Sequence, residues 1–179
     1  MVLERFRLDG HVAIVTGAGR GIGAASALAL AEAGADVLLA ARTEGQLQEV
    51  AAKIEALGRK AVVVLSDLSD LDQVAKLPQI AVDSFGRLDV VINNVGGSMP
   101  KEFVKTNATA LEGAFHFNVS TAHVLTRAAL PHLLAGEGGS VVNISSVMGR
   151  VSGRGYLAYG TAKAALAHWT RLAARDLSP

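Results

Sequence analysis

Thr16-Gly17-Ala18-Gly19-Arg20-Gly21-Ile22-Gly23 is the stretch on which the fold turns. It follows the β-branched run Val12-Ala13-Ile14-Val15 and opens an Ala/Leu-rich segment, Gly21 to Ala33, that Gly34 stops. The stretch therefore reads as the turn from a buried strand into a helix. Glycines let the chain turn tightly and let a pyrophosphate approach the backbone, while the helix N-terminus supplies N–H donors. This makes Gly17, Arg20, Gly21, Ile22 and Gly23 candidate ligand-binding residues. The spacing is T-G-x-x-x-G-x-G, because Ile22 stands where G-x-G-x-x-G would place its third glycine. The alternative is a tight strand–helix turn that holds no ligand.

Working outward, the strand–helix alternation repeats. Val37 to Ala40 reads as a second buried strand, and Leu47, Val50, Ala51, Ile54 and Leu57 then recur at helical spacing up to Gly58. Ala61 to Leu65 forms a third strand, followed by a helical pattern from about Ser69 to Ser84 that Pro78 should kink or shorten. Leu88 to Ile92 is a fourth strand. One long helix is expected from about Thr109 to Leu134, with Pro131 near its end, then a fifth strand from Ser140 to Ile144 and a final helix from Tyr159 to Asp176. Near-continuously apolar strands alternating with helices imply an α/β, doubly wound parallel sheet, Rossmann-like, with helices on both faces. Ligands on such sheets bind outside the carboxyl ends of the strands, where the glycine turn falls. The 179 residues suggest a single dinucleotide-binding and catalytic domain over 1–179.

Composition narrows the function. Seventeen basic against sixteen acidic residues leave a net charge of +1, without the basic footprint of a nucleic-acid binder. There is no cysteine, which excludes disulfide scaffolds and thiolate metal sites. His11, His116, His123, His132 and His168 show no H-x-x-x-H pair and no clustered carboxylate, so no metal site is expected. The longest apolar stretch, Ile22 to Ala41, is broken by Glu32, Gly34 and Asp36, and residues 1–10 lack a signal-peptide core. A soluble, cytoplasmic protein with no membrane partner is the default reading.

The end of the second strand reads Ala40-Ala41-Arg42-Thr43. Sites that prefer NAD place a carboxylate there for the ribose 2′-OH. Asp36 lies at the wrong end of the strand, and Arg42, with Arg20 in support, is able to grip a 2′-phosphate, so NADP is favoured over NAD. The plainer reading of Arg42 is a solvated arginine. Tyr159-Gly160-Thr161-Ala162-Lys163 puts a phenol and an ammonium on one helix face. A free phenol titrates near pH ~10, and a nearby cation favours its ionised form, which suits proton transfer to a carbonyl oxygen or from an alcohol. Tyr156 has Gly160 four residues on and lacks such a partner.

With these motifs in this order, the chain resembles the short-chain dehydrogenase/reductase family along essentially its whole length. Gly17, Gly21 and Gly23 match the family's glycine turn. Asp67-Leu68 match its adenine-contacting pair, and Asn93-Asn94-Val95-Gly96 its Asn-Asn-Ala-Gly segment, with Val95 for alanine. The resemblance implies a catalytic tetrad of Asn118, Ser146, Tyr159 and Lys163, in which spacing to the tyrosine selects Ser146 over Ser145. It implies hydride transfer between nicotinamide C4 and a carbonyl or secondary alcohol carbon. Ser146 would bond the substrate oxygen, Tyr159 exchange its proton, Lys163 hold the nicotinamide ribose, and Asn118 a relaying water. Asn143-Ile144-Ser145-Ser146-Val147 is not the G-x-S-x-G elbow of a hydrolase.

The family's domain normally continues with two more strands and a substrate-covering segment, whereas this sequence stops at Asp176-Leu177-Ser178-Pro179. The expectation is a C-terminally shortened sheet lacking those last strands, with the fifth strand as an exposed edge. A second function class follows from the same departure: a dinucleotide-binding or interaction module without catalysis. Val124, Leu125, Ala128 and Ala129, with Ala165, Leu166, Trp169 and Leu172, make apolar helix surface that the resemblance assigns to a homo-oligomer interface; packing on the sheet explains part of it. The substrate pocket is expected between the loop Ser98 to Thr106 and the loop Val147 to Tyr156.

Overall fold

A computed structural model describes residues 2–136 and 138–178. A short 3₁₀ turn (Val2–Phe6) leads into β1 (Val12–Thr16), α1 (Gly21–Glu32), β2 (Asp36–Ala41), α2 (Glu44–Ala56) and β3 (Ala61–Leu65). The second half contains α3 (Leu71–Phe85), β4 (Val90–Asn93), α4 (Ala108–Phe115), α5 (Thr121–Leu134), β5 (Ser140–Asn143) and α6 (Leu157–Leu177). The strands form one parallel sheet in the order β3-β2-β1-β4-β5. This is the expected doubly wound, Rossmann-like α/β fold, with the change of winding direction between β1 and β4.

Alternation along each strand divides the core in two. Val12, Ile14, Leu38 and Val91 face α3 and α5, meeting Val74, Leu77, Leu125 and Leu133. Ala13, Val15, Val37 and Leu39 face α1 and α2, meeting Ala27, Ala31, Leu47 and Ile54. A third cluster joins α4 and α5 to α6 through Ala114, Ala122, Ala158, Ala162 and Leu166. Of the apolar helix residues expected at an interface, Leu125, Ala129 and Leu166 are consumed by these cores, while Leu172 is exposed.

Three expectations need correction. Pro78 does not shorten its helix: α3 runs through it for 15 residues. Its ring lies in the buried stripe with Val74, Leu77 and Ala81, so packing offsets the missing N–H. The long helix is not one regular element, because His116–Ser120 forms a π turn between α4 and α5. The final helix begins before Tyr159, at Leu157. The edge position of β5 is as expected, and Val142 on it is 45% exposed. No helix among the described residues is long and apolar enough to cross a membrane.

Candidate active site

β1 and β4 are the neighbouring strands at which the winding reverses, and the glycine turn follows the carboxyl end of β1. Thr16 builds the junction: its buried hydroxyl donates to Ile92 O at 3.1 Å and accepts from the N–H groups of Asn94 and Val95 at 3.0 and 3.2 Å. Asn94 returns the link by donating its amide to Thr16 O at 2.9 Å and Gly17 O at 3.3 Å. Neither side chain was among the expected site residues, because their hydrogen-bond partners lie 76 to 79 residues away.

The glycines have separate jobs. Gly17 and Gly21 hold left-handed φ of 65° and 57°. A Cβ on Gly23 would lie 2.2 Å from Gly17 O, so only glycine lets α1 start against the turn. A Cβ on Gly21 would meet nothing within 4 Å; that space belongs to the cleft. Arg20 occupies the N-cap without a side-chain capping bond, leaving first-turn N–H groups of α1 for an acceptor from outside.

The cleft has a volume of about 630 Å³. Gly17, Arg20, Gly21 and Ile22 line it, with Arg42, Leu68, Gly96, Tyr159 and Lys163. Unpaired helix N–H groups, a bare glycine face and two arginines are a donor set suited to phosphate. Gln46, Thr43, Asn94 and Phe117 also line the cleft and were not among the expected site residues. Gly23 stands behind the turn as a spacer.

Other expected residues are placed elsewhere. Asn93 is buried and donates its amide to Thr126 Oγ1 and Asn143 Oδ1, so its side chain ties β4 to α5 and β5. Asp67 is exposed beside the cleft, and its carboxylate accepts from the Ser69 N–H and hydroxyl at 3.0 and 2.8 Å. Those bonds, with Arg42 nearby, hold its carboxyl below the usual range. Asp36, expected to stand apart from the site, is engaged at the far end of β2 by Arg59 and by the Lys60 N–H.

Tyr159 and Lys163 share a face of α6, with the ammonium 5.9 Å from the phenol ring centroid. Lys163 is buried, and its Nζ donates to Ile144 O at 2.8 Å; burial pushes the ammonium below its ordinary value. Asn118 lies in the π turn, fully buried. Its Oδ1 accepts from Gly97 N, and its amide donates to Gly97 O and Ala114 O. A Cβ on Gly96 would stand 2.6 Å from Asn118 Oδ1 and 2.8 Å from Lys163 Nζ, so these two side chains converge over a bare glycine. Ser146 Oγ accepts from Met148 N at 3.2 Å and caps the 3₁₀ turn Val147–Gly149; it does not line the cleft. Ser145 does, with its hydroxyl donating to Lys163 O at 3.0 Å.

The family model for the short chain dehydrogenase matches residues 11–179. The chain belongs to the short-chain dehydrogenase family. It is 58% identical over 180 residues to an uncharacterized oxidoreductase of Mycobacterium tuberculosis, covering all of this chain and 68% of that protein. A short chain dehydrogenase from Burkholderia cenocepacia, solved in complex with NADP, superposes with a TM-score of 0.90 at 39% identity, over 96% of this chain and 70% of that one. A 7α-hydroxysteroid dehydrogenase complexed with NADH and 7-oxo glycochenodeoxycholic acid gives 0.93 at 31% identity, over 97% and 68%. The chain spans 62–70% of the length of the curated relatives it matches.

Proposed function

We propose that this chain is the cofactor-binding and catalytic part of an oxidoreductase that moves a hydride between NADP(H) and a carbonyl or secondary alcohol carbon. The observation that carries this reading is the convergence of Gly21, Arg42, Tyr159 and Lys163 on one cleft. Relatives solved with NADP and with NADH support a nicotinamide dinucleotide in general. Arg20 and Arg42, with no carboxylate among the residues lining the cleft, support NADP in particular.

The glycine turn and the first turn of α1 would receive the pyrophosphate, Arg42 the 2′-phosphate, and Lys163 the nicotinamide ribose. When bound, the nicotinamide supplies or takes up the hydride. Tyr159 gives its phenolic proton to the carbonyl oxygen during reduction and takes it back during oxidation. Lys163, one helical turn on, holds its ammonium over the ring of that phenol, 5.9 Å from its centroid. Ser146 uses a lone pair on Met148 N, which leaves its hydroxyl hydrogen to donate to the substrate oxygen. Asn118 holds Gly97 against the π turn, the place from which a water could resupply the proton.

Tyr159→Phe is expected to reduce turnover by about 10²–10⁴-fold, the usual worth of general acid–base catalysis, while NADPH still binds. Near-normal turnover of the variant sinks the assignment. A second reading, a dinucleotide-binding module without catalysis, is favoured by Ser146 standing outside the cleft. NADPH binding without reduction of any ketone in a broad panel would support it.

We also propose a cytoplasmic homo-oligomer that pairs the outer faces of α5 and α6, where Leu134 and Leu172 are 66% and 54% exposed. A monomer mass by light scattering at micromolar concentration counts against it.

A further inference from the structure

A second and larger cavity, about 910 Å³, lies between the loop 97–106 and the loop 147–156, and holds none of the four tetrad residues. The two loops are joined by a backbone bond from Lys101 N to Gly155 O at 2.9 Å. That bond brings two cations distant in sequence, Lys101 and Arg154, to the rim of one cavity. Lys105 also lines it, but is paired with Glu102 at 3.1 Å. Among the described residues, neither Lys101 nor Arg154 has an ion-pair partner. The whole chain has a net charge of only +1, so three cations against one carboxylate around one cavity is a local concentration.

The rest of the lining is apolar. Phe103, Met148, Val151, Tyr156 and Leu157 contribute, and Phe103 is 79% exposed. Tyr156 connects this space to the chemistry, because its ring centroid stands 6.4 Å from that of Tyr159. Gly160, also in the lining, packs against Met148 O with no room for a side chain, which fixes the loop 147–156 on α6.

We propose that this cavity takes the non-reacting end of the substrate, and that Lys101 and Arg154 select substrates carrying a carboxylate or phosphate across an apolar spacer from the reacting carbon. The proposal rests on the assignment of Tyr159 as proton donor. An apolar spacer would lie along Tyr156 and Leu157 while the anion is met at the rim by charge-assisted bonds.

The test compares straight-chain keto acids of increasing length with their methyl esters, using the full chain and NADPH at low ionic strength. The acids are expected to show a kcat/KM about tenfold or more above their esters, the worth of one charge-assisted bond. High salt should shrink that ratio, and Lys101→Gln with Arg154→Gln should bring it to about one through a higher KM for the acid. Equal kcat/KM for acid and ester in the unaltered protein overturns the proposal. If no ketone is turned over, calorimetric titration separates the two ideas. Tighter binding of the acid than the ester, lost in the double variant, keeps the anion site and rejects the Tyr159 assignment. Equal binding of the two rejects the anion site.

Discussion

Lys163 illustrates how one side chain is made useful by what surrounds it. Burial opposes its charge, and one of its three N–H groups donates to the Ile144 carbonyl, with Nζ and O 2.8 Å apart. Gly96, by lacking a Cβ, leaves the ammonium beside Asn118 and open to the cleft. Arg42 is the contrasting case: exposed, just past the end of β2, with its influence reaching Asp67 but, among the described residues, no side-chain hydrogen bond holding it. Such a group is available to a ligand phosphate. Arg42→Ala is therefore expected to weaken NADPH binding by one to two decades, matching about 1.5–3 kcal/mol for a charge-assisted bond. NADH, lacking the 2′-phosphate, should be affected little; equal losses for both in a fluorescence titration would remove Arg42 from cofactor choice. At this scale the sequence was legible where the partners are local. That Tyr159 and Lys163 share a helix face follows from their spacing, read after the glycine turn and five strands, and the place of Arg42 from the end of a strand. The roles of Thr16 and Asn94 do not, because each is defined by hydrogen bonds to partners 76 to 79 residues away.

Among the elements, the junction of β1 with α1 is the tightest. Gly23→Ala would drive a Cβ to 2.2 Å from Gly17 O and 2.7 Å from Asn94 Nδ2, so α1 must move. An overpacking cost of about 1–3 kcal/mol is expected, read from urea denaturation. Gly21→Ala meets no protein atom and should cost only its left-handed backbone strain, about 1–2 kcal/mol. The new methyl would stand in the cleft, so NADPH affinity should fall by more than stability does. If Gly21→Ala binds NADPH normally, the turn does not carry the pyrophosphate. The π turn His116–Ser120 is the other special element. Periodicity could not reveal it, since one extra residue in a helical run barely disturbs an apolar pattern spread over 27 residues, Ala108 to Leu134.

Across the whole molecule, the two ends of the sheet carry opposite chemistry. At the amino ends, carboxylates tie strands together. Asp89 accepts from Val12 N at 2.8 Å and from Arg87 at 2.9 and 2.7 Å, while Asp36 joins the starts of β2 and β3 through Arg59 and Lys60. At the carboxyl ends, N–H groups and arginines are left open. Burial works against the Asp89 charge, yet Arg87 and the Val12 N–H outweigh it and hold the carboxyl below the usual range. A carboxyl depressed in the folded state adds stability that is fully present above its unfolded value, about pH 4, and is lost as pH falls toward its folded one. Asp89→Asn should thus cost about 1–3 kcal/mol near neutrality, with the gap to the unaltered protein narrowing on acidification. A gap in urea stability that stays constant from neutral pH to about pH 3 would show that Asp89 acts without its charge.

What the sequence determined by itself was the five strands, the helical character of the segments between them, the parallel sheet, the glycine turn and the shared helix face of Tyr159 and Lys163. Residues close in the chain constrain one another through backbone geometry, and apolar spacing records which face is buried. Only the tertiary structure decided that Asn93 turns toward α5 while Asn94 builds the turn, that Pro78 is absorbed by packing, and that Lys101 meets Arg154 across two loops. Each of these is set by a contact between segments distant in sequence. Local propensity carries no trace of such a contact until the chain has folded around it.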